Sequence, residues 1–219
     1  MKKIILLMAF LIVCNFLFAN DYRTGDHELF LMPTAYTIPK GKSFLADYEL
    51  IFLNYSISPE AGSQIGFYSL FPVTSDFLNS FVLQAKQKLI KYKRFQSAAI
   101  IGFAPKPMGY GIGNAVSLDF DNKSLHLGVA GVGEFEDDEI EAIYMAGGSI
   151  DVGEATSLIL EYINTHTLIE NDFGGMIAFG FRFRGKKINW ELGAMRTLGV
   201  MPDFLIAYPL VKATVFFGK

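Results

Sequence analysis

The chain has 219 residues, is 51% hydrophobic and 15% aromatic, and carries 19 basic against 22 acidic side chains, a net charge of −3. A balance this close to neutral, without a basic cluster, excludes the electrostatic footprint of a nucleic-acid-binding protein. No zinc-ligand spacing or phosphate-cradling glycine motif is present, so neither a metal nor a cofactor is expected.

Lys2 and Lys3 open the chain, a mostly apolar run follows from Ile4 to Phe18, and Ala19 offers a small residue before Asn20. This order predicts a secretory signal peptide over 1–19, with 20–219 as the mature chain. The apolar run falls short of the roughly 18–20 residues a spanning helix needs, which argues against an uncleaved anchor. Lipoprotein processing at Cys14 is disfavoured by the bulk of Val13 before it. Cys14 is the only cysteine, so cleavage after Ala19 would exclude disulfides and thiol chemistry. It would also remove Lys2 and Lys3, leaving 17 basic residues against 22 acidic, a net charge of −5.

Beyond residue 20 no apolar run is long enough for a helix to span a bilayer. A closed barrel is the other structure that pairs every backbone group internally. Alternation of apolar with polar or small residues predicts twelve strands, at 28–34, 43–57, 63–71, 80–90, 97–104, 114–120, 124–132, 140–151, 156–164, 175–184, 188–196 and 204–217. The connections 58–62, 91–96, 121–123, 152–155 and 185–187 are short. Those at 72–79, 105–113, 133–139, 166–174 and 197–203 are mostly longer. Short turns at one end and longer loops at the other are the asymmetry of an outer-membrane barrel, which a soluble β-sandwich has no reason to show.

The period of two assigns faces. Phe44, Tyr48, Leu50 and Phe52 are expected against lipid. So are Leu158, Leu160 and Tyr162, Phe179, Phe181 and Phe183, Ile188, Trp190 and Leu192, and the odd positions of 211–217. The opposite face gives a lumen lined by Asp47, Glu49, Lys86, Lys88, Glu161, Arg182, Arg184, Glu191 and Lys212. A cation on the lipid side at mid-depth would cost about 2–4 kcal/mol, so this segregation is what a bilayer demands. Tyr48, Tyr162 and Trp190 are candidates for interfacial girdles. Two places resist the pattern: residues 81–90 alternate imperfectly, and Pro209 removes a ladder donor inside the last strand.

Leu31-Met-Pro-Thr-Ala-Tyr-Thr-Ile-Pro-Lys-Gly41, followed by Asp47-Tyr-Glu49, together with Tyr55-Ser-Ile-Ser-Pro59 leading to Gly66 and Gly180-Phe-Arg-Phe-Arg-Gly185, resembles a little-characterised group of porin-like outer-membrane β-barrel proteins of Gram-negative bacteria. The resemblance covers most of the mature chain. It implies fold and location, and it brings no catalytic residues and no cargo. Gly218 and Lys219 depart from the terminal aromatic residue many such barrels carry.

The expected fold is therefore all-β, a single closed antiparallel transmembrane barrel of about 12 strands. Its surroundings would be outer-membrane lipid and lipopolysaccharide, and its maturation would involve the barrel-assembly machinery. Twelve strands lie between barrels of about eight, filled by side chains, and those of 16–18 with a water channel. Lumen charges of both signs would either line a narrow pore for small polar solutes or pair across it and leave a non-conducting structural barrel. A third reading is a lipid hydrolase, because a tight turn at 121–122 would bring Ser117, Asp119 and His126 together on the lumen face as nucleophile, orienter and base. The ordinary reading of these three is a polar wall. The acidic run Glu134-Phe-Glu-Asp-Asp-Glu139 lacks EF-hand spacing and reads as a solvated loop. Pro105-Lys-Pro-Met-Gly-Tyr-Gly111 reads as a loop from its Pro and Gly content. His27 and His166 receive no role.

Overall fold

The computed structural model describes residues 25–49, 51–70, 80–106, 108–136, 139–164, 174–198 and 207–218. Residues 1–24, and with them the expected signal peptide, lie outside these, as do His166 and Leu50. Twelve antiparallel strands close into one barrel in sequence order, with β12 hydrogen-bonded to β1. They are β1 (Ser43–Tyr48), β2 (Phe52–Ile57), β3 (Ser63–Leu70), β4 (Val82–Tyr92), β5 (Phe95–Pro105) and β6 (Met108–Phe120). The remaining six are β7 (Lys123–Glu134), β8 (Ile140–Asp151), β9 (Thr156–Ile163), β10 (Met176–Arg184), β11 (Ile188–Thr197) and β12 (Tyr208–Phe217).

The number twelve agrees with the expectation, but the strands at the start of the chain do not. Residues 28–34 form no barrel strand; one isolated bridge, Glu28 to Pro33, is their only ladder contact. The expected strand at 43–57 is instead the hairpin β1–β2, which turns at Glu49 with φ at +57°. One strand lost and one gained leave the count unchanged. Alternation runs through 43–57 without a glycine or proline, so nothing in the pattern marks the reversal.

The expected loop at 105–113 is also absent. Pro105 pairs with Met108, and β5 and β6 continue together down to Phe95 and Leu118. The glycines there sit inside β6: Gly109, Gly111 and Gly113 all belong to its inward row, with Gly102 of β5 opposite Gly111.

The two places that resisted alternation have local causes. A register shift between Lys88 and Ile90 marks a bulge in β4, which flips the parity of the residues after it. Pro209 pairs with Ala194 of β11 at a level that β1 does not reach, because the β1–β12 ladder ends at Tyr48 and Lys212. Two residues on, the Val211 amide points to Glu49 at the tip of β1, so the missing donor of Pro209 faces the side where β1 has already turned back.

The outward face is predominantly apolar, with Asp47, Ser97, Asn114 and Arg196 among its polar members. Leu160, Phe179, Phe181 and Trp190 are each between 44% and 57% exposed and stand side by side on β9, β10 and β11. Large apolar side chains this exposed around a closed barrel are a surface built for hydrocarbon. Both chain ends of the barrel and the turns 58–62, 93–94, 121–122, 152–155 and 185–187 lie at one end, here the short-turn end. Strands β1, β3, β5, β7, β9 and β11 finish at the other, where β1–β2 and β5–β6 also connect closely while β3–β4, β9–β10 and β11–β12 are separated by ten or more residues of sequence.

Candidate functional site: a hairpin held inside the lumen

Residues 25–41 enter the barrel from the short-turn end, rise to Leu31, reverse, and descend to leave at Pro39, beside the 58–62 turn. Two backbone bonds hold the two limbs together, Leu29 N to Met32 O at 2.8 Å and Thr34 N to His27 O at 3.2 Å. Irregular backbone in a filled lumen cannot reach water, so its polar groups need other partners. The wall supplies them as charged side chains.

Lys212 Nζ donates to the carbonyls of Leu29 (3.0 Å) and Phe30 (2.9 Å). Arg182 Nη2 donates to those of Glu28 (2.6 Å) and Leu29 (3.2 Å). Lys86 Nζ reaches the carbonyls of His27 (2.7 Å) and Thr34 (3.3 Å). At the tip, the amides of Leu31 and Met32 donate to the Glu161 carboxylate at 3.0–3.3 Å. On the descending limb the Ala35 amide donates to Ser117 Oγ at 2.9 Å.

Ion pairs add to these bonds. On the hairpin, Asp26 pairs with Arg184 (3.0 Å) and Glu28 with Lys212 (2.8 Å). Within the wall, Glu191 bridges Arg182 (2.6 Å) and Lys212 (3.2 Å), and Arg184 reaches Asp151 (3.2 Å). Burial pushes the imidazole of His27 down to about 4, an effect that Glu28 only partly offsets. His27 is therefore neutral at pH 7. Burial alone would raise the Glu28 carboxyl, but Lys212 and His27 hold it below the usual carboxylate range.

Apolar packing completes the fit. Leu29, Phe30 and Met32 are buried against Ile159, Ala178 and Leu210 of the wall, and Ile38 against Phe44, Ala46 and Tyr48. Two inward glycines make this approach possible. A Cβ at Gly147 would stand 2.5 Å from Leu29 Cδ1, and one at Gly193 would stand 2.9 Å from the Phe30 ring.

Lys86, Lys88, Glu161, Arg182, Arg184, Glu191 and Lys212 all lie on the inward face, and all but Arg184 are buried there. Asp47 and Glu49 do not join them. Asp47 lies on the outward row of β1, opposite Ala213, and Glu49 forms the turn, where its carboxylate accepts from the Val211 amide. The inward row of β1 is instead Phe44, Ala46 and Tyr48, fully reversing the expectation for this strand. The reason is the hairpin. A filled lumen offers an apolar partner on the inside, so Phe44 packs under the His27 ring at 4.0 Å between centroids instead of facing lipid.

Ser117 and His126 do meet, with Oγ 2.7 Å from Nδ1. The other ring nitrogen of His126, where a triad needs a carboxylate, lies 2.8 Å from Ser124 Oγ. Asp119 does not orient the imidazole, and Ser117 Oγ is already engaged by the hairpin amide of Ala35. Both Ser117 and His126 are buried beneath the hairpin, with Tyr36 edge-on to the imidazole at 5.9 Å. This group is a structural hydrogen-bond chain, and a nucleophile–base–orienter arrangement is not formed.

No family model and no curated protein matches the chain. Solved structures do. The KdgM porin, in a complex with disordered oligogalacturonate, aligns with a TM-score of 0.53 over 81% of this chain and 98% of its own, at 7% identity. The NanC porin aligns at 0.47 over 80% and 97%, with 8% identity. A mutant of the Rh. blastica porin aligns at 0.43 over 76% of this chain and 55% of its own, with 10% identity. The chain has a porin-like barrel fold. At such identities the likeness concerns architecture, and the hairpin-filled lumen has to be understood from its own residues.

Proposed function

We propose that this protein is an outer-membrane barrel that admits small polar solutes, anions preferentially, when the hairpin over residues 25–41 leaves the lumen. One observation carries the reading: the wall beneath the hairpin is charged. An apolar plug needs only an apolar seat, whereas here Lys86, Lys88, Arg182 and Lys212 stand with Glu161 and Glu191 in a buried band around it. With the hairpin gone, that band, joined by Arg184, Asp119 and Asp151 on the same inward face, would line an aqueous path with five cations and four carboxylates, the cations outnumbering carboxylates four to two in its buried part. Such a surplus concentrates anions in a narrow low-dielectric passage. The carboxylates of Asp26 and Glu28 on the hairpin offset the surplus while it is seated.

The apolar exterior, the asymmetry of turns and loops and the porin-like fold support placement in the outer membrane with the short-turn end toward the periplasm. Passive passage requires no catalytic group. The test is conductance in planar bilayers of the folded protein and of Glu161→Ala and Lys212→Met, which each remove hairpin anchors. Low wild-type conductance that rises several-fold in both variants, with a reversal potential favouring anions in a salt gradient, is the expected result. Folded variants that release the hairpin and remain impermeable would support the structural-barrel reading instead.

A further inference from the structure

Above the hairpin, on the long-loop side of the β3–β8 arc, the lumen holds a cavity of about 280 Å³. Its floor is the hairpin tip, Leu31 and Pro33. Its sides include Val82, Ile100, Ala130 and Met145. Room comes from glycine: a Cβ added at Gly102 would meet nothing nearer than 3.8 Å, so the space beside it is open.

The polar side chains along the lining have their hydrogen bonds elsewhere. Gln84 Nε2 donates to Asn54 Oδ1 (3.2 Å) and Ser56 Oγ (3.3 Å). Tyr68 directs its hydroxyl at Glu28 Oε2 (3.5 Å), and Asn114 borders the cavity by its backbone alone, its side chain standing on the outward row where Nδ2 donates to Ser97 Oγ (3.1 Å). What faces the cavity is therefore aliphatic surface and glycine backbone, with no charge. A fully enclosed apolar cavity of about 150 Å³ takes up benzene, and the present one, open on one side, is bounded by mostly apolar surface. One of 280 Å³ approaches the size of small-molecule sites, about 300 Å³ and upward.

We propose that this cavity is a binding site for a small uncharged apolar molecule, one ring or a short aliphatic chain, seated on the tip of the closed hairpin. A ligand touching Leu31 and Pro33 binds the closed arrangement and not the open one, so it stabilises the seated hairpin by mass action. The site does not depend on whether solutes pass through the barrel.

Fluorobenzene is the probe. The full protein, labelled with ¹³C at its methionine methyls and folded in lipid nanodiscs, is titrated while the Met145 signal is followed. The expected result is a saturable shift of Met145, weakened at least tenfold by Gly102→Leu, which fills the cavity from an open position. Ala130→Leu fills it from the opposite side and serves if the first variant does not fold. A shift that grows linearly without saturation, or saturation unchanged in a folded filled variant, would overturn the proposal. Conductance is not part of the readout, so failure here leaves the gated-passage reading standing, and failure of that reading leaves this site standing.

Discussion

The two sides of the lumen solve opposite problems. Strands β9–β12 present Glu161, Arg182, Glu191 and Lys212 inward and carry the ascending limb and tip of the hairpin. Strands β5–β7 present Gly102, Gly111, Gly113 and Ala130 inward over their long-loop halves and border a void. Charge is placed where a foreign backbone needs hydrogen-bond partners, and small residues where space is left. Lys86, Glu161, Arg182 and Lys212 thus act first as ligands for main-chain amides and carbonyls, and Glu191 holds two of them in place.

The contrast can be broken most forcefully at Arg182. Arg182→Leu leaves the carbonyls of Glu28 and Leu29 without this donor and takes one cation from Glu191 and Asp26. Removing one partner of a buried charged network costs about 3–5 kcal/mol. With Ala35→Cys as a buried reporter, labelling by a small maleimide should accelerate by more than a hundredfold over the parent reporter. An unchanged rate would show that the hairpin does not depend on the wall charge.

Acidification acts on the same side. His27 titrates near 6.5 when free and near 4 when seated, so a free hairpin takes up a proton that the seated one refuses. The contribution of His27 is therefore constant above pH 6.5 and disfavours docking progressively as pH falls toward 4, by at most on the order of 3 kcal/mol. Reporter labelling corrected for thiolate fraction should rise through that window, and His27→Phe should flatten the rise.

Glu161→Ala removes a carboxylate acceptor from the tip amides. The expected loss is about 1.5–3 kcal/mol, seen as faster labelling of the same reporter. The smallest effect belongs to Ser117→Ala, which deletes one acceptor on the descending limb at about 1 kcal/mol. A large effect on lipid turnover in that variant would revive the hydrolase reading; hairpin loosening alone is expected.

Much of the barrel was legible because a period of two is robust wherever the two faces meet unlike surroundings. From β5 onward the outward row is large and apolar and the inward row polar or small, and Glu161, Arg182, Glu191 and Lys212 could be placed by parity alone. The rule failed at β1 because its inward row meets an apolar partner, the hairpin's Ile38 against Phe44, Ala46 and Tyr48, so the apolar residues turn inward and Asp47 outward. It failed again at residues 28–34, where alternation reflects packing inside the lumen. One signal could have suggested the hairpin: apolar Leu29–Met32 and Ala35–Ile38 flank a proline in a stretch without a charge.

The central claim is that residues 27–35 sit inside the barrel, bonded to its charged wall. Amide hydrogen exchange of the folded protein in nanodiscs tests it directly at Leu29, Leu31, Met32, Thr34 and Ala35. The account predicts protection comparable to that of strand amides and its loss on Arg182→Leu. Exchange of these five amides at the rate of an unstructured tail would contradict it.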